Sequence, residues 1–372
     1  FAPGNRWGTF PSVALAWKMH EEGFIRSLNV FDQLKFRIGW GKSGNDAIGD
    51  FRYLSQVYTL NVYYPFGNDG RRVNGATVIN NASSNIRWES TETRSVGLDM
   101  AFLSNRLSIT ADYYSKLTSD ILYEVPQPVS LGYGDSGGSG SAVVNAASME
   151  NKGVELQVGW RSNIGAVTYS VNANYTYNHN KVTSLGDGSY LDGVNRTDIG
   201  NPVGYFYGFI ADGIFMTQKE LDEANAAAQA KGFSEYQLGT TRPGDVRFAD
   251  VNGDGHVNND DRTRLGSPHP THMYGVNLSL GWKGFDFNVF LQGIAGSSIY
   301  DGNYHRVRGG ILVLNQSTYV LDRWRSESEP GNGIVPRAVI GDPAQNNRPS
   351  TLKLVSGDYA KIRQMSLGYS LP

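Results

Sequence analysis

Strict period-two alternation is the feature that most limits what this chain can fold into. Nine stretches put apolar side chains on one parity and polar ones on the other, the mark of strands with one dry face. In 153–160, Val154, Leu156, Val158 and Trp160 share a face, opposed by Glu155, Gln157 and Gly159. In 169–177 the apolar set is Tyr169, Val171, Ala173, Tyr175 and Tyr177, against Ser170, Asn172, Asn174 and Thr176. The rule repeats at Val13/Leu15/Trp17, Leu34/Phe36/Ile38/Trp40, Val96/Leu98/Met100/Phe102 and Leu107/Ile109/Ala111/Tyr113. It appears again at Val276/Leu278/Leu280/Trp282, Phe285/Phe287/Val289/Leu291 and Met365/Leu367/Tyr369. Several stretches run about 9–12 residues. Strands of soluble proteins average about 5–6, whereas a tilted membrane-spanning strand needs about 9–11. The charges Arg37, Asp99, Glu155 and Asp286 all fall on the polar parity. On a lipid face at mid-bilayer, a charge would cost roughly 2–4 kcal/mol.

The connections alternate in length. Strands meet across Ser104-Asn105, across 161–165 and across Lys283-Gly284, and the link from Lys18 to Gln33 is fairly short. Between these hairpins lie the long segments 42–92, 118–151, 179–272 and 294–359. Outer-membrane barrels alternate short periplasmic turns with long extracellular loops. Trp17, Trp160, Trp282, Phe102 and Tyr369 sit on the apolar parity at the short-turn end, where an interfacial aromatic girdle belongs. The expected fold is therefore all-β: a partial transmembrane antiparallel barrel of about nine strands with long extracellular loops. One short loop helix is expected after Thr217-Gln218-Lys219-Glu220, a capping box whose Glu returns to the Thr amide, with Gly232 as its stop.

Composition removes several other classes. No run of 18 apolar residues exists, so no transmembrane helix is indicated. The mean hydropathy of −0.38 says nothing against a barrel, because lipid-facing and lumen-facing residues average out. A net charge of −2 gives no electrostatic case for nucleic acid, and the absence of Cys excludes disulfide and thiolate–metal frameworks. Neither Phe1-Ala2-Pro3-Gly4 nor Ser370-Leu371-Pro372 has the character of a natural terminus. Residues 1–372 are thus expected to form part of a single barrel domain, with a plug and the final strands absent.

The strongest local motif is Asp250–Asp261. Oxygen ligands for Ca²⁺ fall at Asp250, Asn252, Asp254, the His256 carbonyl, Asn258 and Asp261, with Gly255 allowing the sharp turn. The last ligand is Asp rather than Glu, a shorter arm. No amphipathic helix clearly flanks the loop, and a solvated Asx-rich turn without metal has the same composition. If Ca²⁺ binds, it pins a long loop. Gly134-Asp135-Ser136-Gly137-Gly138 copies a serine-protease nucleophile sequence, and 132–137 fits GxGxxG. The first has no triad context and the second no strand–turn–helix frame; a Gly/Ser loop explains both. His269 and His272 are interrupted by Pro270 and form a poor metal pair. No catalytic residue is nominated, so the chain is not expected to be an enzyme. Tyr63, Tyr64, Tyr205 and Tyr207 are exposed loop aromatics that could stack on sugars, although such rings more often serve loop packing.

A series of blocks carries a family resemblance. Asn5-Arg6-Trp7-Gly8-Thr9-Phe10-Pro11-Ser12-Val13 resembles the opening of the barrel segment in SusC/RagA-type TonB-dependent transporters. In the same order come 34–45, Arg87-Trp88-Glu89-Ser90-Thr91, Met149–Glu155, Gly204–Gly208, Ala211–Phe215 and Pro243–Phe248. The last runs into Asp250–Asp261, and Phe285–Gly293 closes the series. The resemblance implies a barrel of about 22 strands in the bacterial outer membrane. It implies import of glycan fragments or peptides with energy relayed by TonB, and a SusD-like surface lipoprotein over the extracellular loops. Partners would thus be that lipoprotein, TonB, outer-membrane lipid and an oligosaccharide or peptide. The competing expectation is a secreted calcium-binding β-rich binding module.

Overall fold

A computed structural model describes residues 1, 4–47, 51–59, 63–66, 70–80, 82–83, 85–126, 130, 141–186, 189–304 and 314–371. Nine long strands form one antiparallel meander. They are β1 (Ser12–Lys18), β2 (Gln33–Asn45), β3 (Glu89–Phe102), β4 (Leu107–Pro126) and β5 (Ser141–Ile164). After them come β6 (Val167–Ser184), β7 (His272–Trp282), β8 (Phe285–Ala295) and β9 (Tyr359–Tyr369). Each pairs with the next, and β1 and β9 are left as the two ends of the path. Two short strands, Gln56–Tyr58 and Thr77–Asn80, join at the rim, where Asn80 meets Ser141. The nine strands are those that the alternation marks.

Register explains why alternation is so regular. Val96 stands opposite both Ile38 and Tyr113, and Leu278 opposite both Val171 and Val289. From the short turns up to the row of Ile38, Val96, Tyr113, Val154 and Tyr177, one face is therefore apolar from strand to strand, and that face is open. Even in central strands, Val154 is 42% exposed and Leu291 40%. A soluble sandwich would bury such a face against a second layer; a membrane wall turns it to lipid. In β9 the register shifts at Arg363, so that Ile362 stands opposite Leu291. The bulge keeps the apolar row unbroken where strict alternation would have put Arg363 in it.

The strands outrun the expected boundaries. The expected loop 118–151 is largely sheet, because β4 and β5 have 20 and 24 residues, and β6, with 18, runs into the expected loop 179–272. About 9–11 residues suffice to cross a bilayer, so the far halves of these three strands stand above it. The turn expected over 161–165 shrinks to Gly165-Ala166.

The buried core lies in the connections rather than in the wall. The described residues of 185–271 (between β6 and β7) and of 296–358 (between β8 and β9) pack on each other. Phe209, Val246, Phe248 and Val257 form a buried cluster, with Phe248 fully enclosed. Phe209 bridges to Ser350 in parallel. Arg337 donates to both carboxylate oxygens of the buried Asp245 at 2.8 and 2.9 Å, and Asn346 Nδ2 donates to Oδ1 at 2.9 Å. The helix Gln218–Ala230 starts as expected: the Glu220 amide donates to Thr217 Oγ1 at 3.2 Å. The Glu220 carboxylate, however, accepts from the Met216 amide at 2.8 Å, one residue before the expected partner. Gly232, at φ +93, follows the helix as its stop. Leu221 and Ala228 bury the helix against the loop core, so it is part of a packed unit.

Candidate functional site

In a barrel wall the polar parity faces the lumen. There Arg37 on β2 reaches across β3 to β4. Its guanidinium donates to Asp99 at 2.8 and 2.9 Å and to Asp112 at 3.0 Å. Gly97 lies between Arg37 and Asp112 in the register. A Cβ there would stand 2.1 Å from Asp112 Oδ1 and 2.8 Å from Arg37 Nη2. The cross-strand bridge therefore requires glycine at this point. The parity of Arg37 and Asp99 is legible in sequence; the bridge and Gly97's part in it need the register.

Higher on the same face, amides and a phenol form a chain. Tyr114 donates to Asn178 Oδ1 at 2.9 Å, and Asn180 donates to Asn151 Oδ1 at 2.9 Å. Asn180 Oδ1 in turn accepts from the Val203 amide at 2.9 Å. The Val182 amide donates to the Asn201 carbonyl at 2.8 Å. These bonds draw segment 198–204 onto β6. Beside them opens a cleft of about 420 Å³, lined among others by Asn178, Asn180, Arg264, His269, Ser297 and Asp358. The Asp358 carboxylate accepts from the Ser297 amide at 3.1 Å. Donors, acceptors, a guanidinium and a carboxylate converge there, which suits a polar ligand rich in hydroxyls or amides. Among these residues the sequence singled out only His269, because no short motif marks side chains gathered from four segments.

Loop 250–261 is compact. Asp250 accepts from the Gly253 and Gly255 amides, both at 2.7 Å. Asp254 accepts from the His256 amide at 2.8 Å, and Asn258 from the Asp260 amide at 2.6 Å. Asn252 accepts from the Asp254 amide at 2.8 Å. The fully buried Asp261 accepts from Val251 and Asn258 at 2.7 and 2.8 Å. Gly253 and Gly255 take φ of +79 and +101, the sharp turn that the spacing implies. Among the described residues no three His, Cys, Asp or Glu side chains converge as a ligand set. As placed, the carboxylates close the turn through its own amides.

The other sequence candidates are scattered. His272 bonds Tyr175 on the apolar face at 2.8 Å, whereas His269 lines the cleft, so the two do not form a pair. Tyr205 is buried, not exposed; its hydroxyl donates to Asp198 at 2.9 Å. Burial, aided by that carboxylate, pushes its phenol up to about 12. Tyr207 lies between the guanidinium groups of Arg196 and Arg262, 4.3 and 4.8 Å from its ring. These two rings serve loop packing; the core they join has no periodicity to betray it. Tyr63 is half exposed. The side chain of Tyr64 and the Gly/Ser stretch 131–140, with both its motif matches, lie outside the described residues.

A lipid-open apolar face, a polar inner face and long co-folded loops define an outer-membrane β-barrel wall. Residues 1–294 match the family described as TonB dependent receptor-like, beta-barrel, and the chain belongs to that family of outer-membrane proteins. It is 30% identical to TonB-dependent receptor P3 of Formosa agariphila, over 100% of this chain and 36% of that protein. It is 28% identical to TonB-dependent receptor SusC of Bacteroides thetaiotaomicron, over 100% of this chain and 35% of that one. The RagAB peptide transporter structure matches with a TM-score of 0.79 at 23% identity, covering 100% of this chain and 38% of its own. The last likeness is one of fold. The SusC/RagA resemblance and the membrane location are thereby borne out. The chain spans about a third of the length of these relatives.

Proposed function

We propose that this chain forms part of the wall and the extracellular mouth of an importer of glycan fragments or peptides. One observation carries the reading: the sheet has an apolar face open to lipid and a polar inner face that ends in a donor- and acceptor-rich cleft. A secreted binding module has no use for the first. The inner residues bind and guide; no arrangement of nucleophile and base is invoked, so the reading is a transporter and not an enzyme. Peptide is the ligand named for the RagAB transporter whose fold this chain shares; glycan fragments follow from the SusC-type resemblance and from a cleft suited to hydroxyls. The plug, the TonB contact and the remaining strands would come from the rest of the parent protein, which would form one barrel domain with this chain. A SusD-like lipoprotein would sit over the unit built from 185–271 and 296–358.

The test is calorimetry of the detergent-purified parent protein against a panel of oligosaccharides and a panel of peptides. One panel should bind, and Asn178→Ala with Asp358→Ala should weaken that ligand about tenfold. Failure of the parent to bind either panel, with or without its lipoprotein, would overturn the reading. Calcium in the loop 250–261 is proposed on the oxygen spacing of Asp250, Asn252, Asp254, His256, Asn258 and Asp261. Ca²⁺ titration should give heat that Asp250→Ala abolishes; absence of heat in the unaltered parent would leave a metal-free Asx turn.

A further inference from the structure

The outer face changes character abruptly on β2–β6. One hydrogen-bonded row reads Ile38, Val96, Tyr113, Val154 and Tyr177. Two residues further from the short turns, the next row reads Trp40, Arg94, Ser115, Lys152 and His179. The row beyond it reads Lys42, Glu92, Leu117, Glu150 and Lys181. All three rows share the lipid-facing parity. Four cations thus stand against two carboxylates immediately above an apolar, tyrosine-bearing row.

The carboxylates position cations rather than cancel the patch. Glu92 accepts from Trp40 Nε1 at 3.0 Å and pairs with Arg94 at 2.7 Å, yet the Arg94 side chain stays 73% exposed. Glu150 pairs with Lys152 at 2.7 Å, with Lys152 47% exposed. Lys42 and Lys181 are exposed and make no ion pair among the described residues. With neighbouring strands about 4.8 Å apart, Lys42 and Lys181 bracket a patch on the order of 19 Å wide. The patch is local. On β7, β8 and β9 the same parity ends in His272, Ala295 and Ala360, with no Lys or Arg.

We propose that this belt holds the phosphate groups of a lipid in the outer leaflet. Three features favour a lipid over a soluble partner. The belt faces away from the lumen. It begins at the height where the apolar band ends, which is where headgroups lie. Its long side chains can keep their stems on the apolar row and their charges in the headgroup layer. Lys and Arg bind phosphate through charge-assisted hydrogen bonds, and clustered cations at a membrane surface attract anionic lipid. Tyr113, Tyr177 and Trp40 mark the same interface.

The experiment uses the full-length parent, purified from outer membranes in detergent. Binding of bis-phosphorylated lipid A, its dephosphorylated counterpart and inorganic phosphate is read by native mass spectrometry. The unaltered protein should hold the phosphorylated lipid at least tenfold better than the dephosphorylated one. Millimolar inorganic phosphate should not displace it. Lys42→Ala/Arg94→Ala/Lys152→Ala/Lys181→Ala should lose that preference, whereas Lys116→Ala, which removes a cation from the inner face of β4, should keep it. Should the fourfold variant fail to assemble, Lys42→Arg/Lys152→Arg/Lys181→Arg decides: it should retain the lipid. Equal binding of the two lipids by the unaltered protein overturns the proposal. So does a preference that survives the fourfold change, or ready displacement by phosphate alone, which would point to a soluble anion.

Discussion

At the scale of single residues, Gly97 carries a sharp constraint. Its missing Cβ is what lets Arg37 reach Asp112. Gly97→Ala should break that contact and cost about 1–3 kcal/mol, as overpacking does, visible as a lower urea midpoint of the heat-modifiable folded band. A change no larger than that of Gly281→Ala, where the nearest atom is a Thr168 hydroxyl, would show that the bridge is dispensable. Asp245 is the second such residue, 1% exposed beneath the Arg337 fork. Removing one partner of a buried pair strands the other, typically at 3–5 kcal/mol. Arg337 keeps some solvent, so about 2–3 kcal/mol is expected for Asp245→Ala. Hydrogen exchange should speed up across 242–248 and 335–346 while β7 and β8 stay protected.

At the scale of elements, wall and loops were legible to very different degrees. The nine strands could be read because each has one dry face, and period two survives in sequence wherever that holds. The extension of β4 and β5 into 118–151 was not legible: above the bilayer neither face needs to be apolar, so alternation fades while the backbone ladder continues. The loop unit was invisible for another reason. Its strands are three or four residues long, as in Ala211–Ile214 and Val246–Phe248, too short to show any period. Its core joins Phe209 to Ser350 and Asp245 to Arg337 across distant segments. Only the helix, through Thr217 and Glu220, and the turn Asp250–Asp261, through its Asx and Gly spacing, announced themselves. Tyr205 reads in sequence as an exposed loop aromatic, because burial in such a unit leaves no local trace.

The loop unit should also respond to pH. Burial pulls Lys353 down to about 8, beside the Tyr300 ring and the Asn347 carbonyl. In the unfolded chain the amine keeps its ordinary value of about 10.4. Between these values the unfolded state binds more protons, so stability rises with pH. Segment 342–356 should therefore gain protection from pH 8 toward 10 once intrinsic exchange is corrected for, and Lys353→Met should flatten the rise. A loss of protection over that range in the unaltered protein would contradict the assignment. Tyr205 works in the opposite sense at higher pH: its phenol, held up to about 12, loses stabilisation as pH climbs from about 10.

At the scale of the whole molecule, two faces of one sheet divide the labour. The outer face meets lipid, with an aromatic cluster at the short-turn end, where Phe285 lies 4.5 Å from Tyr369, and a cationic belt at the other. The inner face carries the ion-pair bridge, the amide chain and the cleft under the loop unit. Everything proposed about transport depends on that division. It can be measured directly, since this chain contains no Cys. Single cysteines placed in turn from Met273 to Gly281 along β7 of the parent protein, in lipid, would carry nitroxide labels. Collision rates with oxygen, which concentrates in lipid, and with a water-soluble nickel chelate would then be read at each position. Two period-two profiles, out of phase, are expected, with oxygen maxima at Tyr274, Val276, Leu278 and Leu280. Flat profiles, or maxima of both reagents at the same positions, would contradict that division.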